Sequence, residues 1–288
     1  MKTVATHDGP FHADDVFSIA ALELHFGEIE VIRTRDLEKI QKADIVVDVG
    51  RVYDEKTCRF DHHQEMMYRE NQIPYAGFGL VWKEFGSQIA GGEEEALLIE
   101  NKLALPIDAG DNGVAISTPL FKGVSSYTIS SLVSAFEPTH LEENKTFDEA
   151  FKEVVSFAKQ ILLREIAQVK AFVNTRRLVE ETYESTENKE LLVFDNYLTG
   201  MAGALGQYPE VLYIVAPYNK AEGTWVLRAI KKGDGTFENP PSSVGMGGFT
   251  TNARLYNNLL FCLCHVVCKT RIFVGWNSDV SALVATIV

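Results

Sequence analysis

The run ADIVVDVG (residues 43–50) restricts the fold more than any other stretch of this chain. It is continuously apolar and β-branched, and Gly50 closes it, which marks a strand covered on both faces and not one that alternates between core and solvent. Strands of that kind belong to parallel sheets with helices on both sides. The preceding residues agree. KTVATH reads as a short strand, DDVFSIAALELHFG as a helix ended by Gly27, EIEVIRTR as a second strand and LEKIQKA as a short helix. The order β-α-β-α-β predicts an α/β, doubly wound parallel sheet whose ligands gather at the carboxyl ends of the strands. His7 and Asp48 both fall at such ends.

Further along, FGLVWKEFGSQIA and GGEEEALLIENKLA read as helices, and Pro106 is expected to stop the second, leaving IDAGDNG as a loop. From about 140 to 184 the pattern is helical, charged and free of Pro beyond Pro138. Such a helix could pair with a second copy of the chain, although packing on its own sheet is the commoner case. Beyond Asn188 the texture changes to ELLVFD, EVLYIVAP, TWVLRAI and RIFVGW, separated by turn-like NKAEG and KKGDG. The expected organisation is a catalytic domain at 1–187, including the long helix, and a smaller α+β domain at 188–288.

With 288 residues, 46% of them hydrophobic, the chain can bury a large core. Its net charge of −13 argues against a basic surface that grips long duplex nucleic acid. No run of about 18 apolar residues and no charged start followed by an apolar segment is present, so a cytoplasmic protein without a membrane span is expected. Four cysteines make no disulfide framework. Cys262, Cys264 and Cys268 lie with His265 in the apolar run LLFCLCHVV, where small buried side chains are a better reading than a zinc site.

The chemistry concentrates in acidic motifs. ATHDGPFHADDV (residues 5–16) places His7, Asp8, His12, Asp14 and Asp15 together with no Lys or Arg among them, and RFDHHQ adds Asp61, His62 and His63. Four of the seven histidines therefore fall in two short stretches. Buried like charges repel unless a cation compensates them. A divalent ion such as Mn²⁺ or Zn²⁺ accepts imidazole and carboxylate together, and two ions about 4 Å apart need a bridging carboxylate, for which Asp48 is well placed. Asp108 and Asp111 in IDAGDNG form a further acidic cluster. Asp8 and Asp15 can equally be turn or helix-cap residues. Neither a G-x-S-x-G elbow nor a P-loop is present, which gives no support to serine hydrolase or NTPase chemistry.

His7, His12-x-Asp14, Asp48, Asp61-His62-His63 and Asp108 to Gly113 follow one another in an order that resembles the DHH phosphoesterase superfamily. The forms THxGxFHxDD, FDHHQ, LVWKEFG and IDAxDNG resemble its Myg branch, the melanocyte-proliferating-gene exonucleases, over most of residues 3–240. That resemblance implies a DHH-type amino-terminal domain holding two divalent metal ions, Mn²⁺ foremost, with Zn²⁺, Co²⁺ or Mg²⁺ as alternatives, and a smaller domain closing over substrate. By position, it implies that His7, His12 and Asp48 hold one ion. Asp14, Asp48, His62 and one of Asp108 or Asp111 hold the other. His63 faces the substrate phosphate, and Asp61 supports it or joins the ligands.

The implied activity is a 3′–5′ exonuclease on short single-stranded RNA or oligonucleotides, which needs no covalent nucleophile. A small-molecule phosphatase or pyrophosphatase, and a non-catalytic binding module stapled by metal, are the rival readings. In the carboxy-terminal part the family's Asn-Arg-Lys-Pro-Leu-Pro segment is only partly followed by FENPPSSVGMGGFTTN. His265, Lys269, Arg271 and Gly275 stand near where substrate contacts are expected.

Overall fold

The computed structural model describes residues 1–219 and 224–230, together with the backbone of strands at 272–276 and 282–287. The chain divides into two compact units, Met1–Lys170 and Ala171–Val288.

The first unit is built on a five-stranded sheet in the order β2-β1-β3-β5-β4. Its strands are β1 (Lys2–Thr6), β2 (Ile29–Arg33), β3 (Ile45–Val47), β4 (Tyr53–Asp54) and β5 (Arg59–Phe60). β1 lies parallel to both β2 and β3, with Val4 opposite Val31 and Ile45, and β3 lies parallel to β5. Only β4 runs antiparallel, Tyr53 facing Phe60. Ile45, Val46 and Val47 are all buried, as the unbroken β-branched run requires of a strand covered on both faces.

Helix α1 (Ala13–Phe26) follows β1 and buries nearly its whole first three turns, Asp14 and Asp15 included. It ends where the Gly27 N–H donates to the Glu23 carbonyl. Short α2 (Leu37–Lys42) connects β2 to β3. After β5 come α3 (Gly77–Ala90) and α4 (Glu93–Ile99), then a π turn (Glu100–Ala104) that runs directly into α5 (Leu105–Asp111).

This last run corrects the expectation that Pro106 ends the helix. The flanking residues keep helical dihedrals throughout, and Pro106 lies in the first turn of α5. Proline lacks an N–H and crowds the preceding turn, so it breaks a regular helix interior. Here the wider π turn precedes it, with the Leu105 N–H reaching the Glu100 carbonyl. IDAGD is therefore helical, and Asp108 and Asp111 sit one turn apart on α5 instead of in a loop.

Helix α6 (Ile129–Ser134) and the long α7 (Phe147–Ser185) follow. The early part of α7 buries Phe151 against Phe11, their rings 5.7 Å apart, and the Arg33 guanidinium lies 4.5 Å from the Phe151 ring. Arg33 also donates to the Gly9 carbonyl at 2.6 Å and to Asp148 at 2.9 Å. One arginine thus fixes the loop between β1 and α1, where the first histidines stand.

In the second unit, β6 (Leu191–Val193), β7 (Tyr213–Asn219), β8 (Thr224–Ala229), β9 (Ile272–Trp276) and β10 (Ala282–Ile287) form a sheet in the order β6-β7-β8-β10-β9. β6 and β7 are parallel and the other pairings antiparallel. Val179, Leu192, Phe194, Met201 and Ile214 belong to its core. Short α8 (Met201–Ala204) lies between β6 and β7. No helix among the described residues is long and apolar enough to cross a membrane.

Candidate metal centre

Three neighbouring strands deliver side chains at their carboxyl ends: His7 follows β1, Asp48 follows β3, and Asp61, His62 and His63 follow β5. Two helix ends complete the ring. His12 precedes the first turn of α1, which carries Asp14 and Asp15, and Asp111 closes α5.

Asp48 is central. Its Oδ2 lies 3.3 Å from His7 Nε2, and its Oδ1 lies 3.2 Å from His62 Nε2 and 3.5 Å from His63 Nδ1. Its backbone is left-handed, with φ of 52°, a conformation uncommon for a residue with a side chain and therefore strained. Asp111 reaches His62 Nε2 at 3.4 Å and His12 Nδ1 at 3.6 Å. Three sets each bring one donor atom per residue within 4.8 Å of one another: His7, His12 and Asp48; Asp48, His62 and His63; His12, Asp14 and Asp111.

Five of the donor atoms are buried and unsatisfied. His7 Nε2, Asp14 Oδ1, Asp15 Oδ2, Asp48 Oδ1 and His62 Nε2 have no hydrogen-bond partner, although buried polar groups are nearly always paired. Burial pushes the Asp14 carboxyl well above its usual range, and Asp48 and Asp111 push it the same way. Burial also drives Asp15 up, to about 7, against the opposing pull of His7. Asp48 goes the other way. Burial disfavours its charge, but His62 and His7 on its two oxygens hold it well below the ordinary carboxylate range. Conversely, burial works against charge on His7 and His62, but Asp48 together with Asp15 at His7, and with Asp111 and Asp61 at His62, raises both. Convergent lone pairs, mutual carboxylate repulsion and imidazole nitrogens are what a divalent cation requires, so the residues present fit metal.

Around these donors stand groups that orient them. His7 Nδ1 lies 3.2 Å from the Asp8 carbonyl, which leaves Nε2 to face Asp48. Asp61 is buried and occupied: its Oδ1 takes the His63 N–H at 2.9 Å and lies 2.8 Å from His63 Nδ1, while its Oδ2 takes the Arg51 N–H at 2.7 Å. Its contact with the cluster is made through His63, whose ring is half exposed. Asp15 combines two tasks, accepting the His12 N–H at 2.9 Å as a helix cap and turning its other oxygen to His7 at 3.3 Å. The spacing of Asp15 from His12 signals the cap but carries no sign of the second contact.

Asp108 is placed elsewhere. Arg69 Nη2 donates to its Oδ2 at 2.7 Å and the Gly79 N–H to its Oδ1 at 3.0 Å, so its carboxylate belongs to an ion pair and not to the histidine cluster. Arg69 Nε donates to Glu100 at 2.8 Å, Nη1 donates to the Pro74 carbonyl at 3.2 Å, and the guanidinium stacks 3.8 Å from the Tyr75 ring. Burial works against the charge on Arg69, but Asp108 and Glu100 more than offset it. Gly79 makes the close approach possible, because a Cβ there would sit 1.8 Å from Asp108 Oδ2. Sequence reasoning missed Arg69 and this glycine. The only signal was the pair of glycines opening α3, in AGFGL.

His265, Lys269 and Arg271 lie outside the described residues, as do Cys262, Cys264 and Cys268. Gly275 stands in β9, where its backbone is opposite Val284.

The sequence matches the MYG1 exonuclease family, described as an uncharacterised protein family (UPF0160), over residues 3–242. The chain belongs to that family. It is 26% identical to the mouse protein named MYG1 exonuclease over 272 residues, covering 82% of this chain and 70% of that one. The human protein of the same name is 26% identical over 273 residues, with shares of 82% and 71%. A MYG1 protein of Chlamydia pneumoniae is 30% identical over 235 residues, with shares of 80% and 76%. Among solved structures, exonuclease RecJ bound to manganese aligns at 12% identity and a TM-score of 0.26, covering all of this chain and 86% of that one. A likeness that slight assigns no role to any residue.

Proposed function

We propose that this chain is a phosphodiesterase that works with two divalent metal ions, Mn²⁺ foremost, and removes nucleotides from the 3′ end of RNA or short oligonucleotides. One observation carries the reading. Buried donors from three strand ends and the first turn of α1 are left unpaired around a single carboxylate, Asp48, whose two oxygens face different histidines. Family membership supports it through relatives named as exonucleases.

In this reading His7, His12 and Asp48 hold one ion, and Asp14, Asp48, His62 and Asp111 hold the other. When bound, the ions supply Lewis acidity, activating water near neutral pH and offsetting charge on the phosphoryl oxygens. The protein's own groups position and finish the reaction. Asp61 holds His63 by Nδ1, so Nε2 is left to donate a proton toward a phosphoryl oxygen or the departing alkoxide. Asp8 and Asp15 fix His7 and His12 in the orientation the donors need. The negative net charge suits a short, single-stranded substrate better than a long duplex.

The test is digestion of 5′-labelled short RNA by purified, Mn²⁺-loaded protein. A descending ladder with release of mononucleotides is expected. Orthophosphate from small phosphate esters, with RNA left intact, would instead assign a phosphatase or pyrophosphatase. Metal binding with no turnover of any phosphoryl substrate would leave a metal-stapled binding module.

A further inference from the structure

We infer that Arg69 and Asp108 are a positioning pair that aims two metal donors, Asp111 and Asp14, without touching the ions themselves. The inference rests on the two-metal reading above and extends it to a residue outside the acidic motifs.

The first turn of α3 is where the two clusters meet. Ala76, at the cap position, supplies no side-chain acceptor for the free N–H groups of that turn, and such groups must find partners. Two buried carboxylates from other elements take them. The Gly77 N–H donates to Asp14 Oδ2 at 3.1 Å, and the Gly79 N–H donates to Asp108 Oδ1 at 3.0 Å. Asp14 is thereby pinned by one oxygen while its other oxygen, Oδ1, is left buried and unpaired among the metal donors. Asp108 is pinned by one oxygen to the same turn and by the other to Arg69.

Asp111 depends on this arrangement because it is the last residue of α5, three positions after Asp108. A helix end frays unless something outside the helix holds it. Here Asp108 ties the final turn to α3 through Gly79 and to the Arg69 guanidinium. Asn112 Nδ2 adds a bond to the Tyr75 carbonyl at 3.2 Å. The three guanidinium nitrogens of Arg69 serve three separate points: Glu100 in the π turn, Asp108 in α5 and the Pro74 carbonyl in the loop before α3. Lysine has the charge but cannot span those directions.

The glycines show how tight the junction is. A Cβ at Gly79 would lie 1.8 Å from Asp108 Oδ2 and 2.4 Å from Arg69 Nη2, and one at Gly77 would lie 3.0 Å from Asp14 Oδ2 and 3.2 Å from Asp48 Cβ. Both clusters press on the same bare turn. A displacement of Asp108 is therefore passed to Asp111 along α5 and to Asp14 through α3.

The experiment is a calorimetric titration of metal-stripped, full-length wild type, Arg69→Lys and Asp108→Asn with Mn²⁺, with thermal unfolding of each metal-free protein alongside. Groups that orient metal ligands change affinity by about 10- to 100-fold when replaced, and a loss in that range is expected in both variants, with saturation at the wild-type number of ions. A merely structural pair would lower the unfolding temperature and leave Mn²⁺ affinity unchanged, which overturns the inference. One ion fewer at saturation in Asp108→Asn also overturns it, because Asp108 would then be a ligand. If Arg69→Lys does not fold, Asp108→Asn, which keeps the side chain's shape, decides. A wild type that binds no Mn²⁺ removes the metal reading itself, and is thereby distinguishable from failure of the positioning role alone.

Discussion

Two buried clusters of charge share helix α5, and they are opposites. At Asp108 the charge is closed: Arg69 and the Gly79 N–H take its oxygens, and Glu100, Pro74 and Tyr75 complete the surroundings of the guanidinium. One turn later, at Asp111, the charge is open. The carboxylate faces His12 and His62, whose neighbours Asp14, Asp15 and Asp48 carry buried atoms with no partner. A folded chain that satisfies one cluster so completely does not leave the other unsatisfied by poor packing. The open cluster has the donor set a cation would complete, whereas the closed one supplies its own.

The largest effect is expected where the open cluster is cut at its centre. Asp48→Ala removes the carboxylate that both histidines face, and elemental analysis of Mn²⁺-loaded protein should show two ions per chain falling to one or none. Loss of metal assistance worth several kcal/mol corresponds to a drop of about 10³-fold or more in phosphodiester hydrolysis. Next comes the closed cluster. Arg69→Met leaves Asp108 buried without its cation and should cost about 3–5 kcal/mol in urea unfolding. Gly79→Ala forces a methyl group between the same partners and should cost about 1–3 kcal/mol by the same measurement.

Acidity joins the two clusters instead of separating them, because burial raises Asp108 to about 7 even against the pull of Arg69. Asp14 and Asp15 have raised values in the folded protein, so below them the folded state holds protons that the unfolded chain releases near pH 4. That contribution is present at low pH and is lost as pH rises toward about 7. His7 and His62 are raised as well, and their contribution is lost as pH rises through their folded values. Asp48 is lowered and acts with the opposite sign, but only below the ordinary carboxylate range. Metal-free protein should therefore unfold at progressively lower temperature between about pH 5 and pH 8, by a few degrees. Added Mn²⁺ should remove the part of that slope that comes from the open cluster and leave the part that comes from Asp108. The smallest effect belongs to charge that is neither closed nor open but solvated. Arg35 pairs with Asp8 at the surface, and Arg35→Ala should shift stability by less than about 1 kcal/mol.

Much of this architecture is legible in local sequence patterns. The β-α-β-α-β alternation, the unbroken run at Ile45–Val47 and the placement of His7 and Asp48 at strand ends are all consequences of period and composition. The strand-rich texture beyond Asn188 likewise reappears in β6 to β9. Pro106 misleads because proline is read as a helix breaker from its own chemistry, whereas the π turn that accommodates it depends on the five residues before it. Arg69 is invisible for a different reason. Its partners are 31 and 39 positions away, in a helical run that Pro106 disguises, and an isolated arginine in a loop has no periodicity to betray burial. The same holds for choosing between Asp108 and Asp111, because only the rotation of α5 tells which carboxylate meets Arg69 and which meets the histidines.

That rotation has a consequence for how the gene can change length. Each residue of an α-helix advances about 100° around the axis and about 1.5 Å along it, and the π turn at Glu100–Ala104 holds one residue more per turn than regular helix would. Five residues of π turn sweep about the angle that four residues of α-helix do, so deleting one of them and closing the helix to its ordinary hydrogen bonding would leave Asp108 and Asp111 facing nearly as before. A deletion between Leu105 and Ile107 has no such reserve and would swing both carboxylates by roughly a quarter of a circle, taking Asp108 from its arginine and Asp111 from its histidines. The tolerance of this helix to a change in length therefore ends where the π turn does.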